Sequence, residues 1–71
     1  MKEIKITTEY IKLGQLLKFA NVVTDGIDAK IMVQNGEIKV NDEVCTMRGK
    51  KLVDGDIVEV IYNGEKFIVK Q

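Results

Sequence analysis

A chain of 71 residues has room for one small core and none for an enclosed active-site cavity beside it, since a domain of this size buries only roughly 60% of its unfolded surface. Hydrophobic content of 45% with 31% charged residues excludes a disordered chain. With 11 basic and 11 acidic side chains the net charge is zero, which excludes a uniformly basic surface and moves the question to where the charges sit.

Lys2 to Thr7 alternates, with Ile4 and Ile6 inward, and reads as a short strand ending at Thr7-Thr8-Glu9. Tyr10-Ile11 then lead into a helix whose Leu13, Leu16, Leu17 and Ala20 recur at helical spacing, with Lys12, Gln15 and Lys18 off that stripe. Gly14 is a poor residue for a helix interior, so it belongs at or near the N-terminus. Val22-Val23 mark the exit. Asp25 caps a second helix, and Asp28 meets the positive end of its dipole.

In the second helix Ala29, Met32 and Val33 share a face, while Ile27 and Ile31 form an i, i+4 pair displaced from it. Either the apolar face is wide and buried on both sides, or the two isoleucines form an exposed contact patch. Asn35-Gly36 stops the helix. Ile38 and Val40 then alternate as a half-buried strand, Asn41-Asp42 turns the chain, and Val44 resumes it. Cys45 reads as a small buried strand residue rather than a nucleophile.

Met47-Arg48-Gly49-Lys50-Lys51 follows as a glycine-hinged loop with three cations. Leu52-Val53 return to the core and Asp54-Gly55-Asp56 make a tight turn. Ile57, Val58, Val60 and Ile61 form a strand, Asn63-Gly64 carries the signal of a two-residue hairpin, and Phe67 and Val69 alternate in the returning strand. The expected fold is α+β: two helices packed on a small, mostly antiparallel sheet, in one domain over residues 1–71.

Catalysis finds no foothold in these residues. There is no histidine to act as a triad base, and Asp54 and Asp56 flank a glycine in turn chemistry. The glycine spacing of a P-loop is missing, and one cysteine without histidine provides neither a disulfide nor a zinc site of the usual type. No cofactor and no metal are expected. No apolar run approaches a membrane span and no signal-peptide core is present, so a cytoplasmic location and no membrane partner are expected.

The charges are segregated. Lys12 and Lys18 are the only charges between Tyr10 and Thr24, and Arg48, Lys50 and Lys51 the only ones between Val44 and Val53. With Lys30 they form a candidate phosphate-binding set, because a guanidinium beside ammonium groups suits phosphate oxygens. The expectation is that Arg48, Lys50 and Lys51 gather in space around Gly49. Tyr10, Phe19, Tyr62 and Phe67 lack the interleaved pattern of a single-strand stacking platform, which favours recognition of structured RNA by charge and shape.

Residues 13–60 resemble the small RNA-binding domain named for ribosomal small-subunit protein four, the S-four domain. The likeness rests on Lys12-Leu13 opening helix one, and on Asp25 with Ala29-Lys30 in helix two. It continues through Gly36-Glu37-Ile38-Lys39-Val40-Asn41-Asp42 and closes on Gly55-Asp56-Ile57-Val58. Arg48-Gly49-Lys50-Lys51-Leu52 looks like the loop of short stand-alone bacterial members. This chain departs from the pattern at Gly26 and Ile27, where many members carry arginines, and at Met47 and Asp42.

The resemblance implies an αL-type RNA-binding motif and non-catalytic binding of structured RNA, ribosomal or transfer. It implies contacts from the two helices and the loop, here Lys12, Lys18, Lys30, Arg48, Lys50 and Lys51, and leaves room for a ribosome-associated protein as a second partner. A protein-interaction module using Ile27 and Ile31 is the alternative. A ubiquitin-like sulfur carrier shares the Val-Asn hairpin and the late Gly-Asp-x-Val, but it needs a C-terminal Gly-Gly, and this chain closes on Val69-Lys70-Gln71.

Overall fold

The structure is a computed structural model describing residues 1–71. Strand β1 (Lys2–Lys5) is followed by a two-residue strand β2 (Ile11–Lys12), helix α1 (Leu13–Phe19) and helix α2 (Gly26–Gln34). Then come β3 (Ile38–Val40), β4 (Glu43–Val44), β5 (Lys51–Leu52), β6 (Ile57–Val60) and β7 (Glu65–Lys70). The main sheet has the order β1-β7-β6-β3-β4, and β2 pairs with β5 in a separate ribbon. All pairings are antiparallel except β1 with β7, where Lys2 faces Phe67 and Ile4 faces Val69. The α+β architecture with a mostly antiparallel sheet is as the sequence predicts.

Alternation explains the single core. Ile38 and Val40 of β3, Val58 and Val60 of β6, and Phe67 and Val69 of β7 are buried, while the residues between them are at least partly exposed. Leu13, Leu16 and Leu17 of α1 and Val33 of α2 complete the same cluster with Ile4 and Leu52. Ile4, Phe67 and Val69 come from the two flanking strands, so the core draws on chain well outside residues 13–60.

Local chemistry sets the helix ends. The Asp25 carboxylate accepts the Asp28 N–H at 2.8 Å, and Gly36 past the C-terminus of α2 takes φ +75°. Asn41 and Asp42 both take positive φ, 50° and 70°, and close a two-residue turn with Val40 opposite Glu43. Asparagine and aspartate tolerate that region better than other residues with a Cβ.

Three expectations need correction. Tyr10-Ile11 do not run straight into the helix, because Ile11 and Lys12 first pair with Leu52 and Lys51. Asn63-Gly64 is not a two-residue turn. Val60 pairs with Glu65, and the loop of Ile61 to Gly64 closes as one helical turn, with the Gly64 N–H donating to Val60 O at 2.9 Å. Only Gly64 has positive φ there, since the Ile61 N–H is taken by Glu37 O at 3.1 Å and holds the chain in a wider loop. Cys45 lies past the end of β4, half-buried, with its thiol directed to Met47 O at 3.7 Å.

The two isoleucines of α2 are not buried on a second side. Ile27 is 70% and Ile31 53% exposed. At 3.6 residues per turn they lie roughly 160° around the helix from Ala29 and Val33, which face the core.

Candidate functional site

Helix α1 begins where three chain segments meet. Leu13 N–H donates to Lys50 O at 2.9 Å and Gly14 N–H to Arg48 O at 3.0 Å, so carbonyls of the basic loop satisfy two of the helix's free N-terminal donors. The Lys12 N–H donates to the Gln15 side-chain oxygen at 3.1 Å. These bonds fix the loop against the helix through backbone groups and leave its cationic side chains free.

Gly14 sets how closely the loop approaches. A Cβ at this position would lie 2.6 Å from Arg48 Cγ, well inside contact distance. The arginine stem crosses α1 through the space a side chain would fill. Its guanidinium then reaches α2, where Nη1 donates to Gly26 O at 3.3 Å. One of five guanidinium donors is used, and the others remain for a ligand.

The result is a shallow cleft of about 260 Å³ between the two helices and the loop. Gln15 and Lys18 of α1 with Lys12 at the end of β2 form one wall, Gly26 and Ala29 of α2 the other, and Arg48 with Gly49 the end. Three cations line it and no carboxylate does. The protein's one ion pair joins Lys2 to Glu65 at 3.0 Å, so Lys12, Lys18 and Arg48 are electrostatically unspent.

The six cations named from sequence are divided by the fold. Lys12, Lys18 and Arg48 come together. Lys30 is exposed on α2 but does not line the cleft. Lys50 borders a different depression, beside Val44, Cys45 and Met47. Lys51 belongs to β5, with its ammonium 4.9 Å from the centroid of the Tyr10 ring. The loop cations therefore do not gather around Gly49. A turn at Arg48-Gly49, closed by the Lys50 N–H donating to Met47 O at 3.1 Å, and the pairing of β5 send neighbouring side chains to different surfaces.

Gln15 and Gly14 have no charge and drew no functional attention in the sequence. Gln15 was visible only as the polar residue between Lys12 and Lys18, and nothing near Gly14 in the chain announces its contact with Arg48.

A family model described as the S4 domain matches residues 4–70. The chain belongs to the S4 domain family. It is also similar to a Bacillus subtilis (strain 168) protein named probable ribosome maturation protein RlbA, with 49% identity over 57 residues covering 80% of each chain. The S4 match takes in β7 and the second half of β1, in keeping with the place of β7 inside the sheet. Within this S4 domain several residues behind the sequence likeness serve the scaffold. Asn41 and Asp56 bond to each other at 3.1 Å and tie the β3–β4 turn to the turn before β6. No helix of the chain is long and apolar enough to cross a membrane.

Proposed function

We propose that this S4 domain is a non-catalytic module that binds structured RNA, with Lys12, Lys18 and Arg48 as its central phosphate contacts. The observation that carries the reading is the acid-free cleft in which these three side chains converge from separate elements. Phosphate contacts position a protein on nucleic acid, and a planar guanidinium beside ammonium groups suits phosphate oxygens. Lys30, Lys50 and Lys51 are outer contacts on the flanks. The name of the Bacillus relative directs the proposal to ribosomal RNA during ribosome maturation, in the cytoplasm. Exposure of Ile27 and Ile31 supports a second, protein-facing role on the side of α2 away from the core.

RNA crosslinked to the protein in cells and sequenced tests this directly. Ribosomal RNA should be enriched, and should fall away when Lys12, Lys18 and Arg48 are neutralised together. Recovery of no RNA above that neutralised variant would end the proposal.

Gly14→Ala separates the site from the fold. Alanine favours a helix over glycine by about 0.5–1 kcal/mol, which offsets the cost of moving a flexible arginine stem. The expected variant melts within a few degrees of the parent yet binds RNA as weakly as Arg48→Gln does, because its Cβ displaces the guanidinium from the cleft. Parental affinity in Gly14→Ala would show that Arg48 works without this placement.

A further inference from the structure

A second cleft adjoins the first. Tyr10, Ile11 and Phe19 form its apolar lining, with Thr8 and Gln15 as polar members. Gln15 lines both clefts, so they meet along one side chain. Phe19 is 65% exposed and Tyr10 38%, whereas Phe67 is the aromatic residue of the core. Two of the chain's aromatic rings are thus spent on surface beside the cationic site rather than on stability.

Polar groups around the rings remain available. The Gln15 oxygen accepts the Lys12 N–H, so its amide NH2 is left to donate outward. The Thr8 hydroxyl donates to Tyr10 O at 2.7 Å and keeps its oxygen free to accept. Lys12 and Lys51 are direct partners across the β2–β5 ribbon. Like charges directly opposite one another destabilise a strand pair. Lys51 stands over the Tyr10 ring, and Lys12 faces the phosphate cleft. Lys51 thus sets a cation against the Tyr10 ring, and its cross-strand partner Lys12 carries a second to the adjoining cleft, a pairing of aromatic surface with positive charge that suits a nucleotide.

We propose that the Tyr10–Phe19 cleft holds one unpaired nucleobase of the bound RNA, stacked on the rings and hydrogen-bonded by Gln15, with its flanking phosphates at Lys12 and Lys51. This rests on the RNA-binding reading above and narrows the ligand to structured RNA that carries a bulged or looped-out base. Recognition of structured RNA commonly works through such splayed bases stacked on aromatic side chains.

The test uses a short fully paired RNA hairpin and the same hairpin with one unpaired 2-aminopurine, a fluorescent adenine analogue. The parent should bind the bulged hairpin roughly tenfold or more tightly than the paired one, the effect of stacking one base, and should change the 2-aminopurine emission. Phe19→Ala should abolish both the preference and the emission change while keeping the affinity for the paired hairpin and the salt dependence. Tyr10→Ala should do the same. Lys18→Gln with Arg48→Gln should instead weaken both hairpins alike and flatten the salt dependence, which reads the phosphate cleft on its own.

Equal binding of the two hairpins by the parent, with no emission change, overturns the base pocket and leaves the phosphate cleft standing. Failure to bind either hairpin overturns both. If Phe19→Ala changes neither RNA affinity but lowers co-sedimentation with ribosomal subunits, the rings face a protein and the base assignment is wrong.

Discussion

Replacing Lys12, Lys18 and Arg48 together by glutamine should weaken binding to structured RNA by about a hundredfold and flatten the slope of log K against log salt by roughly two units. The slope is the sharper readout. Each phosphate neutralised releases condensed counterions, about 0.7 per contact on a single strand and 0.9 on a duplex, so three lost contacts remove about two to three units. Glutamine retains part of each aliphatic stem, which keeps the packing of Arg48 over Gly14 and holds the melting temperature near that of the parent. A second triple variant at Lys30, Lys50 and Lys51 should lose less, because those side chains lie on separate surfaces. Lys2→Gln with Lys70→Gln is the control for general attraction. Equal slopes for all three variants would mean that RNA senses the net charge of the protein and not a built cleft.

Much of the scaffold was legible because its causes are local. Asp25 reaches only to the N–H three residues on, and Gly36 answers to the helix it terminates. The two apolar periods, helical in Leu13 to Leu17 and alternating in Ile38 to Val40, report the side that each element buries. The displacement of Ile27 and Ile31 from that face was legible in the same way, at about 100° per residue, but whether a second surface covers them was not.

The site was legible as a list of cations and not as an arrangement. Which of them meet depends on Arg48 crossing Gly14 and on the pairing of Ile11-Lys12 with Lys51-Leu52, contacts between residues far apart in the chain. Two-residue strands carry too little alternation to announce themselves. The meeting of two aromatic residues was hidden for the same reason: Tyr10 and Phe19 have no interleaved spacing, yet the β2–α1 junction brings them to one cleft. Asn63-Gly64 looked like a two-residue turn because that dipeptide favours one, but Glu37 O engages the Ile61 N–H and the tertiary bond overrides the local preference.

Asp56→Ala should destabilise the domain by about 2 kcal/mol and lower its melting temperature by roughly 10 °C. The carboxylate accepts the Val53 N–H at 2.8 Å and the Asn41 side-chain N–H at 3.1 Å. Asn41 in turn accepts the Ile57 N–H at 2.9 Å through its side chain and donates its own N–H to Ile57 O at 2.8 Å. Backbone bonds complete the junction, with the Val69 N–H donating to Asp56 O at 2.9 Å and the Gly55 N–H to Val69 O at 2.8 Å. One aspartate thereby links the turn before β6, the interior strand β7 and a β3–β4 turn whose Asn41 is held at φ +50°. Alanine removes both carboxylate bonds and leaves the Asn41 amide without its partner. Partial exposure of Asp56 lets water recover some of the loss, which is why the estimate stays below the roughly 3 kcal/mol at the lower end for two bonds to a charged group. Even so, about 2 kcal/mol is a large share of the roughly 0.05–0.15 kcal/mol per residue by which small domains are stable. Asp54→Ala is the matched control, since its carboxylate holds only the Gln71 N–H at 2.8 Å and its loss should cost well under half as much. Asp56→Asn should fall between the two, because its amide oxygen still accepts from Val53 while its NH2 meets the Asn41 NH2 as one donor against another. Asp56 lines none of the clefts, so below its melting transition the alanine variant should keep the parental salt slope on RNA. A melting temperature equal to that of Asp54→Ala would show that the Asn41–Asp56 link contributes nothing, and that the two turns are held by their backbone bonds alone.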